Sequence, residues 1–442
     1  PKVSQDGQLI DIPLKENISF HDGSIFNAKA MAFSLNRFMK IGTLNYLLND
    51  KIKEIEVKDE FRIRIKLKKP SSSIKSLLTS VNLTPVSPNA YSKYKDKFNN
   101  KNFIGTGPYF LESFSSNQQI LKPFSNYWGK KPLNKGIDYI NYNNSNSLFS
   151  AIRTKEVDVL ISNSIDDMQR AALNNMVKSE KINAGIGDPI EIGFITFKSN
   201  ELPLSNKLIR KAISYTIDRN LISQQVSFGT RKPLRSLVPP QLYKKEIPLW
   251  SKYNPNLART LLTKEGYCKK EVLTIPLTFR SNVPSDKLLA LTWKDQIKRD
   301  LSDCMKITLN GIESTTVYKQ LSEGAFEAVI LDWTGAYPDP EAYLTPLLSC
   351  TKIKNNTCLE GESVFSGSFW GDNKLQELLA KSEELEGEKR LNTLIQVEKI
   401  AAKESTYLPV WLVKPKAWSL KDIDQPEFSQ DGLIILKNLK RD

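Results

Sequence analysis

The 442-residue sequence has a single histidine, His21, and this scarcity excludes several kinds of chemistry. A Ser-His-Asp or Cys-His enzyme would have to use that one residue as its base. His21 stands directly before Asp22 and Gly23, a tight-turn sequence in which a histidine more often serves a turn hydrogen bond. One histidine also cannot supply a multi-histidine metal site. Since no nucleophile stands with a base, we predict that the protein is not an enzyme.

Long apolar runs are absent as well. A membrane helix needs about 20 consecutive apolar residues, whereas the longest candidates, such as 407–413, are only the length of a strand. The residues that follow Pro1 are polar and strand-like, which is not the pattern expected of a signal peptide. The glycine-rich stretch 105–109 lacks the lysine and the spacing of a phosphate-binding loop. We therefore expect neither a membrane span nor a cofactor.

Acidic residues are fewer than basic ones, and the 63 Lys and Arg against 49 Asp and Glu give a net charge of +14. A basic chain can bind nucleic acid, an anionic membrane surface or an anionic ligand. The basic residues are dispersed, without a block of interleaved basic and aromatic residues of the RNA-binding kind. We predict no nucleic-acid partner and interpret the charge as a solvated positive surface. A mildly anionic ligand or partner is the alternative.

Cysteine is also scarce, with four residues and no C-x-x-C pair, so a zinc site is not expected. Four cysteines allow three disulfide connectivities. Cys350 and Cys358 flank a polar segment that would form a small closed loop, and Cys268 and Cys304 each stand beside a predicted strand. We favour the pairs 350–358 and 268–304. Four buried free thiols are the alternative.

The stretch 328–350 is the part of the sequence around which the rest is organised. Its apolar start, 328–331, predicts a buried strand, and the run breaks from Asp332 onward. Pro338 and Pro340 then force the backbone to turn. A strand end of this kind is where α/β proteins bind ligands. The alternative is an ordinary turn whose aromatic residues, Trp333 and Tyr337, belong to the core.

The remaining strand and helix signals favour an α/β fold. The alternation over 51–67 predicts a two-stranded hairpin. Beyond residue 226 apolar strand-sized runs alternate with helical patterns, which is typical of an α/β sheet. Strands are predicted over 136–142, 191–197, 273–279, 307–312 and 407–413, and helices over 206–218, 256–265 and 286–301.

Six stretches carry motifs that occur together in one known family. They are 18–38 (ISFHDGSIFNAKAMAFSLNRF), 105–128 (GTGPYFLESFSSNQQILKPFSNYW), 151–158 (AIRTKEVD), 208–221 (LIRKAISYTIDRNL), 253–267 and 333–340 (WTGAYPDP). In this order they resemble the family 5 extracellular solute-binding proteins, the dipeptide, oligopeptide and nickel-binding receptors of ABC importers. The likeness runs over nearly the whole chain. Compared with that family, the sequence begins several dozen residues inside the expected protein.

The resemblance implies a class II periplasmic-binding-protein fold, α/β, with two lobes around a hinged cleft and an extra strand-rich domain. The extra domain would span 1–104. The first ligand lobe would span 105–225, with 422–442 returning to it, and the second lobe would span 226–421. A binding protein of this kind is expected to be a monomer in the periplasm or outside the cell, associated with the membrane through its permease.

The implied function is capture of a peptide or another small solute and its delivery to an ABC permease. A receptor for a non-peptide solute such as a metal chelate, or a sensory solute-binding module, is the alternative. Trp333 and Tyr337 would be aromatic walls of the site. The other residues expected at the ligand are Thr334, Gly335, Ala336 and Gly107.

One departure from the family bears on the ligand. Peptide-binding members carry an aspartate directly before the position of Tyr337, where its carboxylate pairs with the α-ammonium of the peptide. This sequence has Ala336 there. A buried ammonium group without a partner costs several kcal/mol, so the motif indicates the fold more firmly than it indicates peptide binding.

Overall fold

The computed structural model describes residues 1–94, 103–161, 165–269 and 271–441. The strands in these ranges are β1 (Lys2–Val3), β2 (Leu9–Pro13), β3 (Ile52–Asp59), β4 (Arg62–Leu67), β5 (Tyr109–Phe114), β6 (Gln118–Pro123), β7 (Ile137–Ile140), β8 (Val159–Ile161), β9 (Ile182–Ile186), β10 (Glu191–Phe197), β11 (Lys232–Pro233), β12 (Leu273–Arg280), β13 (Met305–Ile312), β14 (Ala328–Thr334), β15 (Lys352–Lys354), β16 (Thr357–Glu360), β17 (Tyr407–Val413) and β18 (Lys416–Leu420).

The α-helices in the same ranges are α1 (Ala28–Ile41), α2 (Tyr46–Asn49), α3 (Ile74–Leu77), α4 (Pro88–Tyr91), α5 (Ser145–Arg153), α6 (Asp167–Lys178), α7 (Lys207–Ser214), α8 (Arg219–Ser227), α9 (Pro240–Tyr243), α10 (Pro255–Lys264), α11 (Pro284–Leu301), α12 (Ser314–Leu321), α13 (Glu341–Leu348), α14 (Glu362–Phe365), α15 (Asn373–Ser382) and α16 (Gly387–Glu404). Three short 3-10 helices span Val81–Leu83, Ser92–Tyr94 and Leu436–Asn438.

An antiparallel sheet with the order β1-β2-β4-β3 forms the first part of the molecule. Alternate residues of β4, which are Ile63, Ile65 and Leu67, are buried, because successive side chains of a strand point to opposite faces. Strands β3 and β4 pair as the hairpin that the sequence predicts over 51–67. Helix α1 begins at the cap Asn27, whose side chain accepts a hydrogen bond from the Ala30 amide.

A six-stranded mixed sheet with the order β11-β17-β10-β14-β12-β13 forms the centre of the molecule. Strands β12 and β13 are parallel, whereas β10 runs antiparallel to both β14 and β17. Every residue of β10 after Glu191 is buried, which is typical of a central strand covered on both faces. The predicted α/β class is confirmed by this sheet and its flanking helices.

Two smaller sheets, β5-β6-β7 and β8-β18-β9, lie outside the central sheet. Residues of α5, α6, β8, β9 and β18 share a separate hydrophobic core around Leu160, Leu173 and Trp418. The chain passes between this core and the central sheet twice, through 187–190 after β9 and through 414–415 after β17. The Gly187 amide donates to the Pro415 carbonyl at 2.9 Å, so the two crossing segments touch.

The strand pairing differs from the expected lobes in two places. Strand β10 was predicted in the first lobe, but it pairs with β14 and β17 in the central sheet. Strand β18 was predicted in the second lobe, but it pairs with β8 and β9. Apolar periodicity identifies a strand without identifying its partners, which are far away in sequence. The residue bounds of the three domains otherwise stay a prediction.

The four cysteines form two disulfides in the structure. Cys268 is bonded to Cys304, and Cys350 is bonded to Cys358. The second bond closes the β15–β16 hairpin against the end of α13, since Cys350 follows that helix.

Candidate functional site

Strand β14 continues further than its sequence predicts. It pairs with β10 through Thr334, which lies opposite Glu191, so the predicted break at Asp332 is wrong. The strand hydrogen bonds with β10 outweigh the turn signal of the residues that follow. The loop 335–340 then leads into α13.

Tyr337 lies in the core, and its predicted role as a wall of the ligand site does not fit this position. Its side chain is only 3% exposed. Its hydroxyl donates to Glu341 at 2.6 Å. Burial, and then the Glu341 carboxylate, raise the pKa of Tyr337 well above its usual value. Two prolines around Asp339 turn the backbone so that this aromatic ring points inward.

Trp333 is half-buried, and its indole Nε1 donates to the Ala342 carbonyl in α13 at 2.8 Å. Thr334 is exposed, and Gly335 and Ala336 are half-buried. A side chain at Gly335 would come within 2.5 Å of the Tyr343 ring, so only glycine permits this approach of the loop to α13. Direct contact of these four residues with a ligand stays a prediction.

A buried network of charged residues follows this loop and ties it to the first part of the molecule. Its members are Lys51, Tyr337, Asp339, Glu341, Glu383 and Arg390, and it is called the buried network below. Lys51 donates to Glu341 and Glu383, both at 3.0 Å. Arg390 donates to both oxygens of Asp339 at 2.8 Å. Asp339 also accepts from the Glu341 amide at 2.9 Å, as expected of a residue that caps the next helix.

A second polar cluster surrounds a cavity of about 230 Å³ at the end of the central sheet. Its lining comes from the start of α6, from the strands β10, β12, β14 and β17, and from the loop before α11. It is called the charged cavity below. Its ionisable lining residues are Asp166, Asp167, Glu191, Arg231, Arg280, Asp286 and Asp332.

Arg280 ends β12 and is shared by two carboxylates of the charged cavity. Its Nε donates to Asp286 at 2.7 Å, and its Nη2 donates to Asp332 at 2.5 Å. Its Nη1 donates to the Tyr318 hydroxyl at 2.7 Å. Burial opposes the charge of Arg280, but the hydrogen bond and charge of Asp286 outweigh it and raise the pKa of Arg280.

Arg231 is the other cation of the charged cavity. Its guanidinium lies 4.8 Å from the centre of the Trp411 ring, a cation–π geometry. Its Nε lies 3.4 Å from Asp167 and its Nη1 lies 3.9 Å from Glu191. Gly193 makes this arrangement possible, because a side chain there would overlap the Trp411 indole.

Three further pKa values in this cluster and directly beside it depart from their usual ranges. Burial raises the pKa of Glu191, and the nearby Asp332 carboxylate raises it further. Burial likewise raises the pKa of Asp286, although Arg280 opposes this. Burial lowers the pKa of Arg170, which lies 3.6 Å from Asp167. The cluster is thus poorly solvated, and its groups depend on each other for compensation of charge.

Gly107 lies apart from the charged cavity. It lines a different and mostly apolar cavity of about 720 Å³, together with Tyr109, Trp128 and His21. The His21 Nε2 donates to the Gly107 carbonyl at 3.0 Å, and the Gly105 amide approaches Nδ1 at 3.4 Å. His21 thus serves local hydrogen bonds. A ligand contact of Gly107 stays a prediction.

Sequence reasoning overlooked the charged cavity. Glu191, Arg231, Arg280 and Trp411 were not predicted as site residues, and Asp332 was noted only for its place near the motif. One signal was available, since Glu191 begins a buried strand and Arg280 ends one. Charged residues at the ends of apolar strands are candidates for a site at the sheet edge. Among the described residues, no group of three or more potential ligands could hold a metal ion.

The central sheet and the separate core around Leu160, Leu173 and Trp418, joined by two crossing segments, define an α/β protein of two connected parts, and comparisons with known proteins identify its family. The sequence model of a protein family, the bacterial extracellular solute-binding proteins, family 5 (Middle), matches residues 1–355 of this chain. The chain therefore belongs to this family, and the predicted family is confirmed. In the described part of the chain, no helix is long and apolar enough to cross a membrane.

Sequence relatives include binding proteins for two kinds of solute. The glutathione-binding protein GsiB of Salmonella typhi is 28% identical over 270 residues, which is 60% of this chain and 51% of that protein. The chain thus spans about half the length of this relative. The nickel-binding periplasmic protein of Escherichia coli K12 is 21% identical over 443 residues, which is 96% of this chain and 81% of that protein.

Solved structures confirm the fold. A dipeptide-binding protein of Pseudoalteromonas sp. SM9913, in complex with Met-Leu, has a TM-score of 0.84 at 21% identity, covering 100% of this chain and 89% of the other. NikA of Brucella suis, in complex with Fe(III)-EDTA, has a TM-score of 0.83 at 20% identity. The match covers 100% of this chain and 90% of NikA. These likenesses establish the periplasmic-binding-protein fold.

Proposed function

We propose that this protein is the substrate-binding component of an ABC importer and captures a small solute in a cleft between its lobes. Membership of the family supports this function. The observation that carries it is the composition of the charged cavity. Asp166 and Asp167 come from the start of α6, whereas Arg280 and Asp332 come from the central sheet. A site that receives residues from both sides of the crossing segments is one that lobe closure would complete.

Closure would proceed by bending at the two crossing segments, 187–190 and 414–415. Hinges of binding proteins are a few residues that absorb changes in backbone angles while the lobes stay rigid. The Tyr343 hydroxyl donates to the Ile190 carbonyl at 2.6 Å, which links α13 to the first crossing segment. Thr334 at the end of β14, together with Gly335 and Ala336 in the loop that follows, would form the rim of the site, next to Glu191.

Delivery requires a partner, which we propose to be an ABC permease in the membrane. The protein would act as a monomer in the periplasm or at the outer side of the cell membrane. The solute would be a peptide or a compound of similar size and polarity. Ala336 favours a second candidate, a non-peptide solute such as a metal chelate, because the carboxylate used by peptide-binding relatives is missing at this position.

Thermal unfolding in the presence of solutes tests the proposal. The panel contains mixed dipeptides, glutathione, nickel–histidine and single sugars. A ligand at about 100 times its dissociation constant adds about 2.7 kcal/mol to stability, which raises the unfolding midpoint measurably. We expect at least one solute class to do so. No shift with any member of the panel would contradict the proposed function.

A pair of arginine variants then locates the site. Arg231→Met removes the guanidinium that contacts Asp167, Glu191 and the Trp411 ring, so the lining of the charged cavity loses its arrangement and the shift is expected to decrease. Arg62→Met is the control, because Arg62 forms an exposed pair with Asp59 at 3.6 Å outside the cavity. Equal shifts in both variants would place the solute elsewhere.

A further inference from the structure

The charge of the cavity is opposite to the charge of the chain. Five carboxylates and two guanidinium groups line it, in a protein with a net charge of +14. The adjacent Arg170 compensates part of this excess through Asp167. The cavity remains acidic, so its field favours a cationic group of a ligand over an anionic one.

Two of the carboxylates, Glu191 and Asp332, lie on the neighbouring strands β10 and β14. Glu191 lies opposite Thr334, and Asp332 lies opposite Gly193, so the two acids are diagonal neighbours on one face of the sheet. Diagonal neighbours are about 7–8 Å apart, within reach of long side chains. Gly193, which has no side chain, leaves room for the Trp411 indole on this face, beside Asp332.

The cations of the cavity are shared between several acids, so they neutralise Glu191 and Asp332 only in part. Arg280 is divided between Asp286 and Asp332, and Arg231 is divided between Asp167 and Glu191. Glu191 has its ion-pair partner only at 3.9 Å, a long contact for a charged pair.

A third acid of the cavity also lacks a complete set of partners. Asp167 is 5% exposed, and its buried Oδ1 accepts no hydrogen bond in the described structure. The mutual repulsion of Glu191 and Asp332 raises the pKa of Glu191 in addition to burial. A cation placed between Glu191 and Asp332 would offset this repulsion and donate hydrogen bonds to both carboxylates.

We propose that Glu191 and Asp332 together bind an ammonium group of the solute. This inference rests on the proposed function and refines it by naming the substrate class, solutes with a free primary amine. The pair would supply, from the face of β14 that carries Asp332, the negative charge that is missing at Ala336. A cavity of about 230 Å³ holds an amine head group with a short substituent, while the remainder of the solute would extend along the loop rim.

A matched pair of ligand pools tests the amine directly in the wild-type protein. One pool contains dipeptides with free amino termini, and the other contains the same dipeptides after N-acetylation, which removes the charge. We expect stabilisation in thermal unfolding by the free pool only. Dipeptides that give a shift are then titrated individually by calorimetry.

Carboxamide variants test the two acids. Glu191→Gln and Asp332→Asn each remove one negative charge and keep nearly the same shape. Truncating one partner of a buried charge pair costs about 2–5 kcal/mol, so each variant should bind the free dipeptide at least about 30-fold more weakly. Glu360→Gln is the control, because Glu360 forms an exposed pair with Lys352 in the β15–β16 hairpin. Since repulsion is removed, unliganded Glu191→Gln should be no less stable than the wild type.

The outcomes separate this inference from the proposed function. Free-pool binding that both variants weaken and the control retains would support it. Equal binding of the free and acetylated pools would overturn the ammonium site while leaving solute binding intact. Binding of a sugar or metal chelate, with no shift by either dipeptide pool, would also overturn the ammonium site and leave solute binding intact. If no solute of any class binds, the proposed function itself fails.

Discussion

Two clusters of charged residues lie near the end of β14, and they differ in the kinds of donor that reach their carboxylates. In the buried network, neutral donors add to the ion pairs of the acids, although the buried Oε1 of Glu383 accepts no hydrogen bond within the described residues. Glu341 accepts from the Tyr337 hydroxyl, and Glu383 accepts from Ser73 as well as from Lys51. In the charged cavity, the ion pair of Glu191 among the described residues is a long one, 3.9 Å from the Arg231 guanidinium. The first cluster joins the loop after β14 to α16 and to the first sheet, whereas in our proposal the second has charge that a ligand compensates.

The comparison shows why charged residues near a motif cannot be assigned to function by type alone. Asp339 and Asp332 are seven positions apart in one stretch, and both pair with arginine. Asp339 is 6% exposed and lies between two prolines, whereas Asp332 lines the cavity. Exposure and unused hydrogen-bonding capacity distinguish the two aspartates, and neither can be read from the sequence.

The largest expected effect comes from breaking the buried network. Arg390→Met leaves Asp339 buried without its bidentate partner, and removing one member of a buried pair costs about 3–5 kcal/mol. Urea unfolding should show this loss. Arg62→Met, which breaks an exposed pair, should cost about 1 kcal/mol or less. A loss at Arg390 as small as that of the control would contradict the structural assignment of the network.

Glu398 sharpens the comparison, because it is a buried carboxylate whose hydrogen bonds come from neutral donors. Its Oε1 accepts from the Ser236 hydroxyl at 2.8 Å, and Tyr243 is the titratable group beside it. Burial raises its pKa to about 7 from 4.5. The folded protein thus holds a proton that the unfolded chain releases, so stability falls as pH rises from about 4.5 to 7. A shift of this size corresponds to about 3 kcal/mol at most.

The variant Glu398→Gln mimics the protonated form at every pH. It should unfold at a higher temperature than the wild type at pH 8 and at nearly the same temperature at pH 4.5. Thermal unfolding at the two pH values measures this difference. A stability gap that is the same at both would show that Glu398 does not titrate between them.

Gly193→Ala should have a smaller effect, concentrated in the charged cavity. The new methyl group would overlap the Trp411 indole and displace it from Arg231. Overpacking of this kind costs about 1–3 kcal/mol. Gly105→Ala is the control, because its nearest neighbour would be at 3.7 Å, an ordinary contact. Solute affinity should fall in the first variant and stay unchanged in the second.

Much of the secondary structure follows from the sequence, because apolar periodicity is a local property. The predicted strand over 191–197 is β10, and the predicted strand over 407–413 is β17. Their pairing depends on contacts between residues more than 200 positions apart. For this reason the class and family were predictable, whereas the assignment of β10 to the central sheet was not.

The candidate site was less predictable than the fold. The motif 333–340 drew attention to the correct strand end, but burial of Tyr337 depends on α13, which packs against it only in the folded protein. The charged cavity combines residues from 166 to 411, and no local pattern connects them. Its acidic character is also hidden by the overall charge of +14.

Trp333 gives the smallest expected effect and decides between the two faces of β14. Trp333→Phe keeps an aromatic ring but removes the Nε1 hydrogen bond to the Ala342 carbonyl, which contributes about 1 kcal/mol. Successive strand residues point to opposite faces, so Trp333 lies away from Asp332 and the charged cavity. Solute affinity should therefore change less than threefold, although stability falls slightly. Calorimetric titration of the wild type and of Trp333→Phe with the same solute measures the change in affinity. A tenfold loss of affinity would instead place the solute against Trp333, as the motif alone predicts. The solute would then contact the loop 335–340 and not Glu191 and Asp332.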